Sequence, residues 1–340
     1  MSDWLADYGM FLAQVGTLAV VAVVLMAVAA RSRGQEERSR LRVEELNGRY
    51  RSRRRQLSLA RLGKKRRKAA LKSFRKQDKS DQAAEQQRAT VWVIDFHGDI
   101  KASGTDRFSQ EISALLGVID EDDEVVIRLE SPGGLVHAYG LAAAELDRLR
   151  EAGVRTTVCV DKVAASGGYM MACCADRLRA APFAVIGSIG VVAQVPNVHR
   201  LLKKHDVDVE LLTAGRYKRT LTVLGENTEE GREKFLEDLE NTHRLFKTFV
   251  GARRPELDIE AVSTGEIWYG SEAVEKRLVD EVGTSEAYLV ERMSQARVIR
   301  VTLERRRSLA ERFGKAASVG VERGLLRLYE TLEASGWQRR

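Results

Sequence analysis

From Thr90 onward, short apolar runs of β character alternate with segments of helical spacing, and that alternation restricts this chain to few folds. Val91 to Phe96 (V-W-V-I-D-F) reads as a buried strand, Phe108 to Ile119 as a helix, and Glu124 to Leu129 as a second strand. A helix from about Leu135 to Ala152 stops at Gly153, and Val154 to Val160 is a third strand. Strands and helices alternating at these lengths predict βαβ units, hence an α/β fold with a mainly parallel sheet. Function is then expected at the loops leaving the strands. Two of those loops are glycine turns, Ser131-Pro132-Gly133-Gly134 and Ala165-Ser166-Gly167-Gly168, placed to face one cleft.

Downstream, Phe183 to Val195 is an apolar β-type run broken by Gly187, Ser188 and Gly190. Val207 to Thr213 reads as another strand, running into A-G-R-Y-K-R-T with Lys218. An amphipathic helix is predicted from about Thr228 to Ala252. Gly265 to Gly283 reads as a turn, a short helix and a closing turn, and Arg297 to Leu303 as a last strand. An amphipathic stretch near Gly324 to Leu332 completes the tail. The resulting division is an N-terminal segment (1–30), a charged linker (31–89), a catalytic domain (90–295) and a C-terminal strand and tail (296–340).

The N-terminal segment contains 21 residues, Met10 to Ala30, interrupted only by Gln14, Gly16 and Thr17, long enough to cross a bilayer as a helix. Ala27-Val28-Ala29 imitates a signal-peptidase site. The residues before the run carry Asp3 and Asp7 and no base, whereas a cleaved signal peptide begins basic, so an uncleaved anchor is expected. Arg31, Arg33, Arg38, Arg40 and Arg42 follow at once. The positive-inside rule places that flank in the cytoplasm.

The formal net charge is +7, unevenly distributed. Residues 31–76 carry 19 Lys or Arg against four Glu, so the basicity belongs to the linker and the catalytic region is mildly acidic. Such a segment, helical or partly disordered, either lies along the anionic headgroups of a lipid bilayer, each base near the surface contributing on the order of 1 kcal/mol, or serves as a solvated spacer. Nucleic acid is a poorer partner. Single-strand binding wants interleaved aromatics, and this stretch has only Tyr50 and Phe74.

Cys159, Cys173 and Cys174 are odd in number and sit in apolar contexts, which predicts buried thiols rather than a disulfide framework. No C-x-x-C or H-E-x-x-H occurs, and the five histidines are scattered, so no metal is expected. Neither glycine turn carries a phosphate-binding lysine, and G-x-S-x-G is absent. No cofactor is implied. Ser166 remains, a hydroxyl at a strand-to-helix turn with glycines able to bring N–H groups close to a reacting carbonyl. It is either a nucleophile or an ordinary helix cap. His137, three residues after Gly134, is one possible base for it.

Taken together, S-P-G-G at Ser131, A-S-G-G-Y at Ala165, I-G-S-I-G-V at Ile186, G-R-Y-K at Gly215, W-Y-G-S-E-A and L-V-D-E-V-G resemble the signal peptide peptidase A family of serine proteases. The anchor, the basic segment and the single catalytic unit look most like its SohB branch. The resemblance covers residues 90–290. It implies the fold shared by Clp protease and crotonases, with Ser166 as nucleophile, Lys218 as general base and Ser188 holding the lysine amine. Gly133 or Gly134, with Gly167, would supply the oxyanion-hole N–H groups. A lysine base near neutrality must be depressed roughly three units from about 10.4, which demands burial. The resemblance also implies ring- or dome-shaped homo-oligomers.

The reading is a single-pass serine endopeptidase of a bacterial inner membrane whose partners are unfolded or membrane-derived peptides, such as released signal peptides. The arginine-rich flank and the free cysteines favour a cytoplasmic catalytic domain, whereas relatives in many bacteria work from the outer, periplasmic face. Two other classes compete with it. One is an acyl-CoA-handling enzyme of crotonase type, and the other is a membrane scaffold without catalysis.

Overall fold

The run V-W-V-I-D-F lies inside a sheet that has a core on either face, because its alternate side chains are apolar in both directions. The computed structural model describes Met10 and residues 14–17, 39–85 and 88–305. Residues 43–302 form one compact unit. The chain enters through β1 (Ser39–Glu45) and helices α1 (Leu46–Ala60) and α2 (Lys64–Glu85). Next come β2 (Thr90–His97), α3 (Thr105–Leu116), β3 (Glu124–Glu130), α4 (Val136–Glu151) and β4 (Arg155–Val160). The short strand β5 (Val163–Ala165), helix α5 (Gly167–Ala172), β6 (Arg177–Ala180) and β7 (Val185–Gly187) follow. After α6 (His199–Lys204) and the long α7 (Glu229–Arg253) come α8 (Ile259–Val262), β8 (Ile267–Tyr269) and α9 (Gly270–Glu275). The chain closes with β9 (Glu281–Val282), α10 (Ser285–Arg292) and β10 (Arg297–Arg305).

The larger sheet has the order β1-β10-β2-β3-β4-β6-β9. From β10 across to β9 every ladder is parallel. Side chains alternate across it as the pleat requires. Ile94, Phe96, Ile127, Leu129, Val158 and Val160 enter one core with Phe108, Tyr139, Leu146 and Tyr169. Val91, Val93, Val126 and Cys159 face the other with Leu289 and Val298. Burying each of these large side chains contributes about 2 kcal/mol by transfer from water. The second sheet, β5-β7-β8, is small and carries the site.

The predicted catalytic strands and helices appear within a few residues of their expected bounds, and the α/β fold with a mainly parallel sheet is observed. Val207 to Thr213 differs, since it forms no strand. Val207, Leu211 and Leu212 are exposed there. A β run without a neighbouring strand has nothing to receive its backbone groups, whatever its propensity. The apolar run from Phe183 likewise yields only the three residues of β7.

The charged linker is more ordered at its start than its composition implies. Leu46 and Asn47 are buried. Asn47 donates to Ala296 O at 3.0 Å, and its side-chain oxygen accepts from Val298 N–H at 2.8 Å, so α1 begins on the edge of the core. Beyond that point α1 and α2 are basic helices, with Arg55 over the Phe74 ring at 5.2 Å. Among the described residues, no helix is long and apolar enough to cross a membrane. The anchor expected at 10–30 lies outside the described residues except for Met10 and 14–17, and the amphipathic stretch at 324–332 lies wholly outside them.

Candidate active site

Four segments converge where the strands end: the loop after β2, the S-P-G-G turn after β3, the turn after β5 and the turn after β7. Ser166 begins α5 with φ 52° and ψ −119°. A non-glycine residue held there costs on the order of 1–3 kcal/mol and persists only where its surroundings fix it. They do so here. Its N–H donates to Gly187 O at 2.8 Å, and its carbonyl accepts from Met170 N–H at 3.0 Å. Its side chain is half-buried, so the hydroxyl is held at a turn yet still reachable.

Register brings Ser188 beside it. β5 and β7 run parallel with Ala165 opposite Gly187, so the next residue on each strand is a serine. Both serines have φ 52°. Ser188 is pinned from the other side, its N–H donating to Glu266 O at 2.7 Å. Neighbouring strands thus deliver two hydroxyl-bearing residues in the same unusual backbone conformation.

The S-P-G-G turn closes over Ser166. Ser131 pairs with β5 through its N–H to Val163 O (2.8 Å) and its carbonyl from Ala165 N–H (3.1 Å). Gly133, at φ +90°, comes so close that a Cβ there would stand 2.8 Å from both Gly167 N and Ser166 Cβ. Only glycine leaves that space open. The Gly133 N–H is already engaged, donating to Ser131 Oγ at 3.1 Å. Among the described residues, no acceptor is hydrogen-bonded to the N–H of Gly134 or Gly167.

Lys218 sits differently. It is exposed, in a stretch without regular structure between α6 and α7, with its own N–H on Gly215 O at 3.1 Å. No hydrogen bond joins its amine to Ser166 or Ser188 among the described residues. Arg216 turns aside to Glu230 at 2.7 Å and lies over the Tyr217 ring at 5.1 Å. His137 is exposed at the start of α4 and makes no hydrogen bond to Ser166.

The three cysteines are buried and unpaired. Burial pushes the Cys159 thiol up to about 12, and a hydrogen bond with the Cys173 thiol, with burial adding to it, raises Cys174, so neither supplies a thiolate. Among the described residues, no group of three His, Cys, Asp or Glu side chains could hold a metal ion.

Sequence reasoning missed the groups behind the glycine turn. Ser131 Oγ lies 2.6 Å from the Tyr139 hydroxyl, which donates to Asp99 O at 2.8 Å. The available signal was a tyrosine among the core positions of α4, whose polar tip needs a partner once buried.

The family profile "Peptidase family S49 N-terminal" matches residues 3–146, and "Peptidase family S49" matches residues 148–299. The chain is 48% identical over 331 residues to a "Probable protease SohB" of Haemophilus influenzae, covering 93% of this chain and 94% of that one. It is 45% identical over 306 residues to another protein of that name from Buchnera aphidicola subsp. Schlechtendalia chinensis, covering 85% of this chain and 100% of the relative. Among solved structures, a 1510-N membrane-bound stomatin-specific protease aligns over 60% of this chain and 80% of its own, at 15% identity and a TM-score of 0.38, too remote to bear on the site. Both halves of the family are matched in order, and nearly the full length of a relative is shared. The chain belongs to peptidase family S49.

Proposed function

We propose that this peptidase is a membrane-anchored serine endopeptidase in which Ser166 attacks the scissile carbonyl and Lys218 serves as general base. The observation that carries the reading is Ser166 itself, strained to φ 52°, half-buried, and next to Gly167, whose N–H is hydrogen-bonded to no acceptor among the described residues. In the reaction, neutral Lys218 Nζ takes the Ser166 proton as Oγ bonds to the carbonyl carbon. The N–H groups of Gly134 and Gly167 receive the developing oxyanion. The lysine then returns the proton to the departing amine. In the second half, Lys218 Nζ takes a proton from water as the water oxygen bonds to the acyl carbon, and passes it to Ser166 Oγ as the ester bond breaks. Each oxyanion donor is worth about 3–4 kcal/mol in the transition state. Ser188, on the strand beside Ser166, orients the lysine.

Lys218 needs cover before it can act as a neutral base. The stretch that carries it exposes Leu212 and half of Tyr217, which suits closure against a second copy of the chain in a homo-oligomer. Substrates are extended, unfolded or membrane-derived peptides, signal peptides among them. The basic helices α1 and α2 lie along anionic lipid, next to an anchor at residues 10–30, with the catalytic domain on the cytoplasmic side.

The test is turnover of an apolar fluorogenic peptide by the full chain in detergent or vesicles. Ser166→Ala and Lys218→Ala are each expected to lower kcat by at least about 10⁴-fold, and the double variant no further, because the two act as a unit. Wild-type turnover in Lys218→Ala would remove the lysine from the mechanism and return His137 to consideration.

A further inference from the structure

The S-P-G-G turn is held by a buried line of hydrogen bonds that the proposed chemistry does not itself use. Tyr139 is fully buried on α4, and its phenol donates to Asp99 O at 2.8 Å. A phenol has one proton, so the 2.6 Å contact between Tyr139 and Ser131 must be donated by the serine. Ser131 Oγ in turn accepts the Gly133 N–H at 3.1 Å. The line therefore runs in one direction, from Gly133 N–H through Ser131 and Tyr139 to the Asp99 carbonyl, and each bond polarises the next. Burial raises the Tyr139 pKa, with the Asp99 charge adding to it against the Ser131 hydrogen bond, which keeps the phenol protonated and able to donate.

The same tyrosine reaches the nucleophile turn. Its ring lies so close to the residue after Ser166 that a Cβ on Gly167 would stand 2.4 Å from Tyr139 Cγ. Its hydroxyl end is equally close to Gly98, in the loop after β2, where a Cβ would stand 2.3 Å from the oxygen. One side chain thus abuts both the loop after β2 and the Ser166–Gly167 peptide, and through Ser131 it controls the Gly133 peptide. We propose that Tyr139 and Ser131 are positioning residues that set the oxyanion hole, by taking the Gly133 N–H out of play and fixing the following peptide so that Gly134, together with Gly167, faces the reacting carbonyl. This rests on the serine-peptidase reading of Ser166.

Positioning acts on the transition state, where the oxyanion exists, more than on the bound peptide. Tyr139→Phe keeps the ring and removes only the hydroxyl. Ser131→Ala keeps the main-chain bonds of Ser131 to β5. Steady-state kinetics of the full chain on the fluorogenic peptide would therefore give a kcat 10- to 100-fold lower in each variant, with KM unchanged within about twofold. Because both sit on one line, the double variant would be no slower than the slower single one. Unchanged kcat in both, or a loss expressed in KM alone, would overturn the proposal, as would losses that multiply in the double variant. Ser166→Ala run alongside separates the two ideas. A dead Ser166→Ala with an unimpaired Tyr139→Phe removes the positioning role only, whereas an active Ser166→Ala removes the serine mechanism and this proposal with it.

Discussion

The turn around Ser166 and the stretch around Lys218 supply the two halves of the proposed site, and they are built in opposite ways. Ser166 leaves a strand whose ladder partner fixes it, is capped by its own helix, and is covered by the S-P-G-G turn. Lys218 lies between α6 and α7 in chain with no ladder, and Tyr217, its apolar neighbour, is half-exposed and flanked by the cations of Arg216 and Lys234. The difference teaches that preorganisation within one chain goes to the proposed nucleophile and oxyanion donors, which must be aimed within a fraction of an ångström. The base needs its dielectric surroundings changed as well, and desolvation can be delivered by whatever later covers it.

Substitutions in the two halves should expose that contrast. The largest effect is expected at Gly168, where a Cβ would stand 2.4 Å from the Ser131 carbonyl oxygen, a backbone atom unable to move without dragging β5. Gly168→Ala should cost about 3 kcal/mol in a denaturant titration and abolish peptide turnover together with it. A smaller effect belongs to Gly215, which has φ +99° but nothing within 4 Å of its missing Cβ. Gly215→Ala should cost about 1–2 kcal/mol, from backbone conformation alone. If Gly215→Ala proves as damaging as Gly168→Ala, the Lys218 stretch is packed in the working enzyme, and the loss should then depend on protein concentration. The least is expected of Arg216→Ala. Its ion pair with Glu230 is solvent-exposed on both sides, so the unfolding midpoint should not move.

Much of the fold could be read from local pattern. V-W-V-I-D-F, E-V-V-I-R-L and the run ending at Val160 are strands because their apolar content has no other economical arrangement between helices of that length, and Gly153 stops α4 at φ +73°. The candidate nucleophile was visible for the same reason, a serine and two glycines where strand gives way to helix. Val207 to Thr213 carried an equally good strand pattern and forms none, because pattern cannot say whether a partner strand is there. The start of α1 was hidden in basic composition, and Asn47, hydrogen-bonded to Met293, Ala296 and Val298, together with buried Leu46 ties it to the sheet. Tyr139 could be placed in the core by helical spacing, yet nothing local says that its hydroxyl meets Ser131 and Asp99.

What the sequence determined by itself is the alternation of strand and helix, the positions of the glycine turns, and the chemical groups placed at them. Each follows from steric and hydrophobic rules acting within a few residues. Tertiary structure decided which of those groups meet. The pairing of β5 with β7 puts Ser188 beside Ser166, and the line from Asp99 through Tyr139 and Ser131 takes the Gly133 N–H, whereas that of Gly134 has no acceptor among the described residues. Those outcomes depend on register between segments distant in the chain and on burial of a phenol that then requires a partner. Neither is a property of any one stretch of sequence.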